Sequence, residues 1–253
     1  MGLRLVVRKF VHYLLAEFDA SLVRLPRELA RQRSSVYRPT LAAVVAYLGA
    51  RKSPLTCVQV GSFDGKTNDE LFPLVRLHEI RYIGIEPQRE AFRRLQANCS
   101  DLANAILINA ALGDCNDSRT MFRVKPDRGD YLRTGQLASF DRSVILREPG
   151  IRETDIEEIQ VEVRTLASCL GHAGVTQIDI AQIDCEGSDD MVVAQVLQLS
   201  SPPAIIRYEG KHLSRRASRD VISRLIAAGY EIAFSPVDVI AVRLLAELSF
   251  ETS

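Results

Sequence analysis

The chain has 253 residues, with 32 Lys plus Arg balanced by 32 Asp plus Glu, 47% hydrophobic residues and 25% charged ones. Zero formal charge excludes a protein held to nucleic acid by its overall field, and the composition excludes disordered, collagen-like and mucin-like chains. The most apolar stretch, residues 3–18, is broken by Arg4, Arg8, Lys9 and His12, which argues against a membrane-spanning helix. Cys57, Cys99, Cys115, Cys169 and Cys185 are odd in number and form no CxxC pair, a pattern expected of a reducing, cytoplasmic compartment.

The chain opens with a basic segment. Within it Leu3, Val7, Phe10, Leu14 and Phe18 recur at helical spacing, so the segment is predicted to be an amphipathic helix. Its apolar stripe has three open roles: docking onto its own domain or a second copy of the chain as a homodimer contact, a lid, or contact with a membrane surface. No small-residue cleavage site follows it, so a secretory signal fits poorly. Pro26 and residues 32–39 read as a linker. The expected division is an N-terminal helical extension over 1–52 and a main domain over 53–253.

Short apolar runs then alternate with amphipathic segments. Strands are predicted at 56–60 (TCVQV), 82–86 (YIGIE), 105–110 (AILINA), 178–184 (IDIAQID) and 204–209 (AIIRYE), with helices at 68–77, 88–98, 189–197 and 214–228. This order implies an α/β domain with a mainly parallel, Rossmann-like sheet. Residues 230–234 and 237–242 flank Ser235 and Pro236 and predict a closing antiparallel hairpin.

Ligands of such a sheet bind beyond the carboxyl ends of its strands. Those ends carry GSFDG at 61–65, Glu86 with Pro87, NAALGD at 109–114, DCEG at 184–187 and YEGKH at 208–212. Gly61 and Gly65 allow close backbone approach to a ligand, or serve only the strand-to-helix turn. Glu86, twenty-five residues after Gly61, is placed to accept hydrogen bonds from ribose hydroxyls, or merely caps the next helix. Asp64 in the glycine loop disfavours a pyrophosphate, whereas a cationic nucleoside such as S-adenosylmethionine suits acidic surroundings. The acid-rich block 153–190, with Arg164 its one Lys or Arg, points the same way.

Across residues 55–243 the series VQVGSFDGKTND, YIGIEP, NAALGD, VEVRTLASCL, QIDCEGSD, AIIRYEG and GYEIAF resembles the FkbM-type S-adenosylmethionine-dependent methyltransferases. The resemblance implies the class I methyltransferase fold and methyl transfer, most often to a hydroxyl of a saccharide or natural product. Carried over position by position, it implies that Gly61 and Gly65, with Ser62 between them, cradle the methionine part of the cofactor, and that Glu86 holds the ribose. Residues 111–114, beginning with Ala111, would lie beside the adenine, and Asp184 would face the amino group or the acceptor. Gln59 stands where the family usually has an acid, and Gln182 where a lysine is common.

A sugar hydroxyl needs a base or a metal to become a nucleophile. Asp184, Glu186, Glu209 and His212 all fall at one sheet edge and are the candidates, with Asp184, Glu209 and His212 as catalytic residues. Asp184 and Glu209 are also potential ligands for Mg2+ or Mn2+; His212 alternatively caps the following helix. Residues 115–160 are expected to form a long loop over the acceptor site. There Arg128, Arg133 and Arg142, like Lys211, Arg215, Arg216 and Arg219 further on, either bind an anionic acceptor or form solvated surface. The leading expectation is O-methylation of a saccharide or glycosylated metabolite. Methylation of another small natural product, on nitrogen or oxygen, and a non-catalytic cofactor-binding module stand as alternatives. A nucleic-acid partner is not expected, because the strand-four motif lacks a proline-aromatic element.

Overall fold

The computed structural model describes residues 41–78, 80–128, 134–234 and 238–243. The predicted N-terminal helix, the linker, Arg133 and the hairpin's connecting residues lie outside these. Elements run in the order α1 (Leu41–Gly49), β1 (Thr56–Val60), α2 (Phe72–Leu77), β2 (Arg81–Ile85), α3 (Arg89–Asn98), β3 (Ala105–Ile108) and β4 (Ala111–Leu112). They continue through β5 (Asp117–Val124), β6 (Ala138–Ser139), α4 (Arg142–Leu146), β7 (Ile156–Arg164), α5 (Leu166–His172) and β8 (Ile180–Ile183). The last are α6 (Asp189–Leu197), β9 (Ile205–Glu209), α7 (Arg215–Ala227), β10 (Glu231–Phe234) and β11 (Asp238–Val242).

Seven strands form the main sheet in the order β10-β11-β9-β8-β1-β2-β3. Strands β3, β2, β1, β8 and β9 are parallel, while β11 runs antiparallel to both β9 and β10. The hairpin therefore inserts its second strand between β9 and β10 instead of adding it at the edge, a placement that local spacing does not reveal.

Strand alternation explains why both faces are buried. Val58, Val60, Ile83, Ile85, Ala181 and Ile183 point one way into a core closed by residues of α5, α6 and α7. Cys57, Tyr82, Ile180 and Ile205 point the other way, toward α1, α2 and α3. Leu41, Val44 and Val45 of α1 belong to that second core together with Leu55 of the following segment, so the segment just before the expected boundary at 52/53 packs against the sheet.

Residues 115–160 are not the open loop that was expected. β5 and β7 pair over eight positions, from Asp117 opposite Val163 to Val124 opposite Ile156, and with β4 and β6 they make a four-stranded second sheet. Its apolar side gathers Ala111, Met121, Ala138, Val161 and Val163. The acids between 153 and 162 have structural places: Glu158 and Glu162 occupy exposed positions of β7, Glu157 pairs with Arg123, and Glu153 and Asp155 lie in a 3-10 turn before the strand. Glu158 and Glu162 face away from that apolar side, so this first part of the acidic block does not point to a ligand.

Helix starts follow local chemistry. Asp69 accepts hydrogen bonds from the Leu71 and Phe72 amides, and Pro73 sits in the first turn; α2 therefore begins four residues later than predicted. Ser214 caps α7 by accepting from the Ala217 amide, which removes helix capping as the role of His212.

Candidate functional site

The point where strand order reverses lies between β1 and β8, and a cleft of about 610 Å3, counting space open to solvent, occupies it. Val60, Gly61, Phe63, Glu86, Asp184 and Glu186 are among the residues that line it from the main sheet, while Met121, Ala138 and Phe140 of the small sheet region close it from above.

Glu86 is 3% exposed, and each of its carboxylate oxygens is pinned by one backbone amide: Phe63 at 2.9 Å and Gln88 at 2.8 Å. Phe63 reaches it from a left-handed conformation, φ 46°. Two lone pairs per oxygen leave acceptor capacity free on the cleft side. Burial raises the Glu86 pKa to about 7, with the two amides pulling the other way. The side chain thus braces the turn into α3 and also lines the cleft.

The two glycines differ. At Gly61, φ 75°, a Cβ would lie 1.8 Å from the Asp184 carbonyl oxygen, so only glycine lets β1 end against β8. Gly65, φ 73°, is tight against Leu95 and Phe72, and it does not line the cleft. Ser62 is buried; its hydroxyl donates to the Gln59 carbonyl and accepts from the Ile85 amide. Gln59 is buried too, donating to Asp69 and accepting from Tyr82 at 2.8 Å each. Gln59, Ser62 and Gly65 therefore brace the loop from behind, and of the loop glycines only Gly61 reaches the cavity. Ala111 and Leu112 line it, but Asp114 is exposed and paired with Arg119.

Asp64 faces away from any ligand. Its carboxylate accepts from the Lys66 and Thr67 amides and the Thr67 hydroxyl, so its presence in the glycine loop no longer discriminates between cofactors. Asp189 plays the matching part after β8, accepting from the Cys185 and Gly187 amides. These bonds flank Glu186, which is held in the left-handed region at φ 48° and whose carbonyl accepts from the Ser139 hydroxyl.

The far side of the cleft concentrates charge. Asp184 opens to the lumen yet lies deep in protein, and burial, then the neighbouring Glu209 and Glu186, push its pKa well above the ordinary carboxylate range. Burial and Glu186 raise Glu209 to about 7. Burial pulls His212 down, but Glu186 and Glu209 outweigh it and hold the imidazole above its usual value. His212 Nε2 lies 3.0 Å from Glu186 Oε2 and 3.5 Å from Glu209 Oε2. The ligand atoms converging within 4.8 Å of one another are thus those of Glu186, Glu209 and His212. Asp184, expected as a ligand, is not in that set; Glu186 takes its place. The DCEG spelling alone does not show this, because the positive φ at Glu186 turns its side chain toward His212.

The basic candidates are engaged or solvated. Arg142 pairs with Glu153, Lys211 with Glu148, and Arg128 approaches Asp155; Arg215, Arg216 and Arg219 are exposed on or beside α7. Met121, Ala138 and Phe140 fall in the 115–160 segment expected over the acceptor site, but which of its residues face the cleft becomes visible only once β5 and β6 pair.

A strand order of this kind, with a reversed strand inserted beside the fifth parallel one and a buried acid at the end of the second, defines a class I methyltransferase fold. The profile described as the methyltransferase FkbM domain matches residues 59–232, more than half of the chain. The chain belongs to the FkbM family of S-adenosylmethionine-dependent methyltransferases. No curated protein matches it. Among solved structures it is similar to methyltransferase FkbM from Methylobacillus flagellatus KT, at 14% identity and TM-score 0.48 over 74% of this chain and 43% of that one. It thus spans less than half the length of that protein. It is also similar to a precorrin-6y C5,15-methyltransferase from Geobacter metallireducens GS-15, at 11% identity and TM-score 0.42 over 88% of this chain and 100% of that one. A third similarity is to the METTL16 methyltransferase domain, at 12% identity and TM-score 0.45 over 92% and 77%. Among the described residues no helix is long and apolar enough to cross a membrane.

Proposed function

We propose that the protein methylates a hydroxyl oxygen of a saccharide or glycosylated metabolite, using S-adenosylmethionine, with a divalent cation assisting. The observation that carries this reading is one cleft with a buried, amide-pinned Glu86 on one wall and the lumen-exposed carboxylate Asp184 on the other. Glu86 accepts the ribose hydroxyls, Gly61 leaves room for the methionine part, and Ala111 with Leu112 flanks the adenine. When bound, the cofactor supplies an electrophilic methyl group on a sulfonium sulfur.

Asp184 has two parts in this scheme. Its negative charge at the lumen favours a cationic ligand, and it takes the acceptor's proton as the oxygen forms its new bond to carbon while the carbon–sulfur pair returns to sulfur. The cleft's task is alignment, holding oxygen about 3 Å from the methyl carbon and opposite the leaving sulfur. The small sheet, closing the lumen with Met121, Ala138 and Phe140, excludes water from that line. Free thiols at all five cysteines support a reducing compartment such as the cytoplasm. A homodimer contact through the N-terminal extension belongs to the same proposal.

Calorimetry with S-adenosylhomocysteine tests the first half: saturable binding, weakened by Glu86→Ala, is expected, and no binding overturns it. Transfer of labelled methyl to a panel of mono- and oligosaccharides tests the second. Turnover on amines alone would replace the oxygen acceptor, and binding without transfer to any acceptor would leave a non-catalytic module.

A further inference from the structure

Resting on the methyl-transfer reading, we infer that Glu186, Glu209 and His212 form a binding site for one divalent cation at the edge of the acceptor side of the cleft. Three observations carry it. The first is an imbalance of charge. Lys211 is engaged by Glu148 at 2.5 Å, and the carboxylates of Glu186 and Glu209 both converge on the one imidazole of His212.

The second is unmet bonding capacity. Glu186 Oε2 and Glu209 Oε2 are sealed from solvent and meet no hydrogen-bond donor in good geometry. The imidazole at 3.0 and 3.5 Å offers both oxygens one shared N–H, so at most one of the two can be satisfied by it at a time. A bound cation is one way such atoms are satisfied.

The third is spacing. Oxygen and nitrogen ligands placed about 2.0–2.2 Å from one metal ion stand about 3–3.5 Å from each other, and the Nε2 separations here are 3.0 and 3.5 Å. His212, with 5% of its side chain exposed, is fixed against the Gly187 turn, where a Cβ would sit 3.7 Å from its own Cβ. Glu186 lines the cleft, so a cation held here would border the lumen, where an acceptor hydroxyl would complete its coordination and be acidified. Two carboxylates and one imidazole suit Mn2+ or Zn2+ better than Ca2+.

The test is titration of the full chain with Mn2+ alone, followed by the loss of the free-ion electron paramagnetic resonance signal, with Zn2+ competition. One saturable site per chain is expected. Glu209→Gln and His212→Gln, made separately, should each weaken it about tenfold or more, while S-adenosylhomocysteine affinity, measured by calorimetry on the same preparations, stays within about threefold. That second readout reports the fold and the cofactor half independently. If one variant loses it through misfolding, Glu186→Gln replaces that variant. Absence of saturable binding in the wild type, or binding undiminished in folded variants, overturns the inference. Cofactor binding retained in the wild type together with no cation site would sink this proposal alone; loss of cofactor binding in the wild type would sink the reading beneath it.

Discussion

The two walls of the cleft treat buried charge in opposite ways. On the β1–β2 wall a single carboxylate, Glu86, receives an amide hydrogen bond on each oxygen, and the acids near it, Asp64 and Asp69, are spent on loop amides and side chains. On the β8–β9 wall Glu186 and Glu209 share one imidazole with Asp184 close by, and two of their oxygens have that imidazole as their nearest cation without a well-aligned hydrogen bond. A wall that only binds can satisfy its polar groups in advance. A wall that moves a proton or holds a cation keeps capacity open, and it bears the cost in the ligand-free fold.

The sharpest way to break this contrast is Asp184→Asn. Loss of a general base costs about 10²–10⁴ in rate, and the expected result is a fall of that size in methyl transfer with S-adenosylhomocysteine affinity little changed. Equal loss of both in calorimetry and turnover would assign Asp184 to the cofactor instead. Next comes Gly61→Ala, where the two walls touch. A Cβ at 1.8 Å from the Asp184 carbonyl, on a left-handed backbone, should destabilise the fold by about 3–4 kcal/mol, read as a lowered midpoint in urea. A shift below about 1 kcal/mol would mean that the strand ends part easily.

Glu86 sharpens the contrast through pH. Its carboxyl moves from 4.5 to about 7 on folding, so the native state holds the proton more tightly than the unfolded chain. The stabilisation from neutral Glu86 is complete below about pH 4.5 and is lost as pH rises through about 7, amounting to about 3 kcal/mol. Glu86→Gln, which mimics the neutral form, should therefore gain on the wild type between pH 5 and pH 8 in denaturant titrations without cofactor, while binding S-adenosylhomocysteine about tenfold or more weakly at pH 8. Parallel stability curves for the two proteins would show that Glu86 is not the group that titrates.

These contrasts were only partly legible beforehand. The parallel strands were readable because both faces of each are buried, so TCVQV and YIGIE show as apolar runs with a polar terminus. Glu86 and Asp184 were readable because strand-end acids in a parallel sheet have few other uses. The small sheet was hidden, since β5 begins with exposed polar residues and ends with buried apolar ones, and its partner β7 lies more than thirty residues away. Backbone strain was hidden as well: nothing in DCEG announces that Glu186 adopts φ 48°. The two loop glycines were not separable beforehand because spacing alone cannot say whether the missing Cβ makes room for a ligand, a neighbouring strand or a leucine.

Gly65→Ala isolates that last distinction and carries the smallest expected effect. The nearest obstacle is Leu95 Cδ1 at 2.7 Å, with Phe72 ring atoms at 3.4 and 3.5 Å. These belong to side chains, and a leucine terminus can rotate where a carbonyl in a sheet cannot. The remaining penalty is the left-handed backbone at φ 73°, worth about 1–2 kcal/mol for a residue with a Cβ. The variant should unfold at modestly lower urea yet bind S-adenosylhomocysteine as the wild type does, because Gly65 faces α3 and not the lumen. A selective drop in cofactor affinity at unchanged stability would instead return Gly65 to the cofactor wall, and with it the view that the whole GSFDG loop, rather than its first glycine, cradles the ligand.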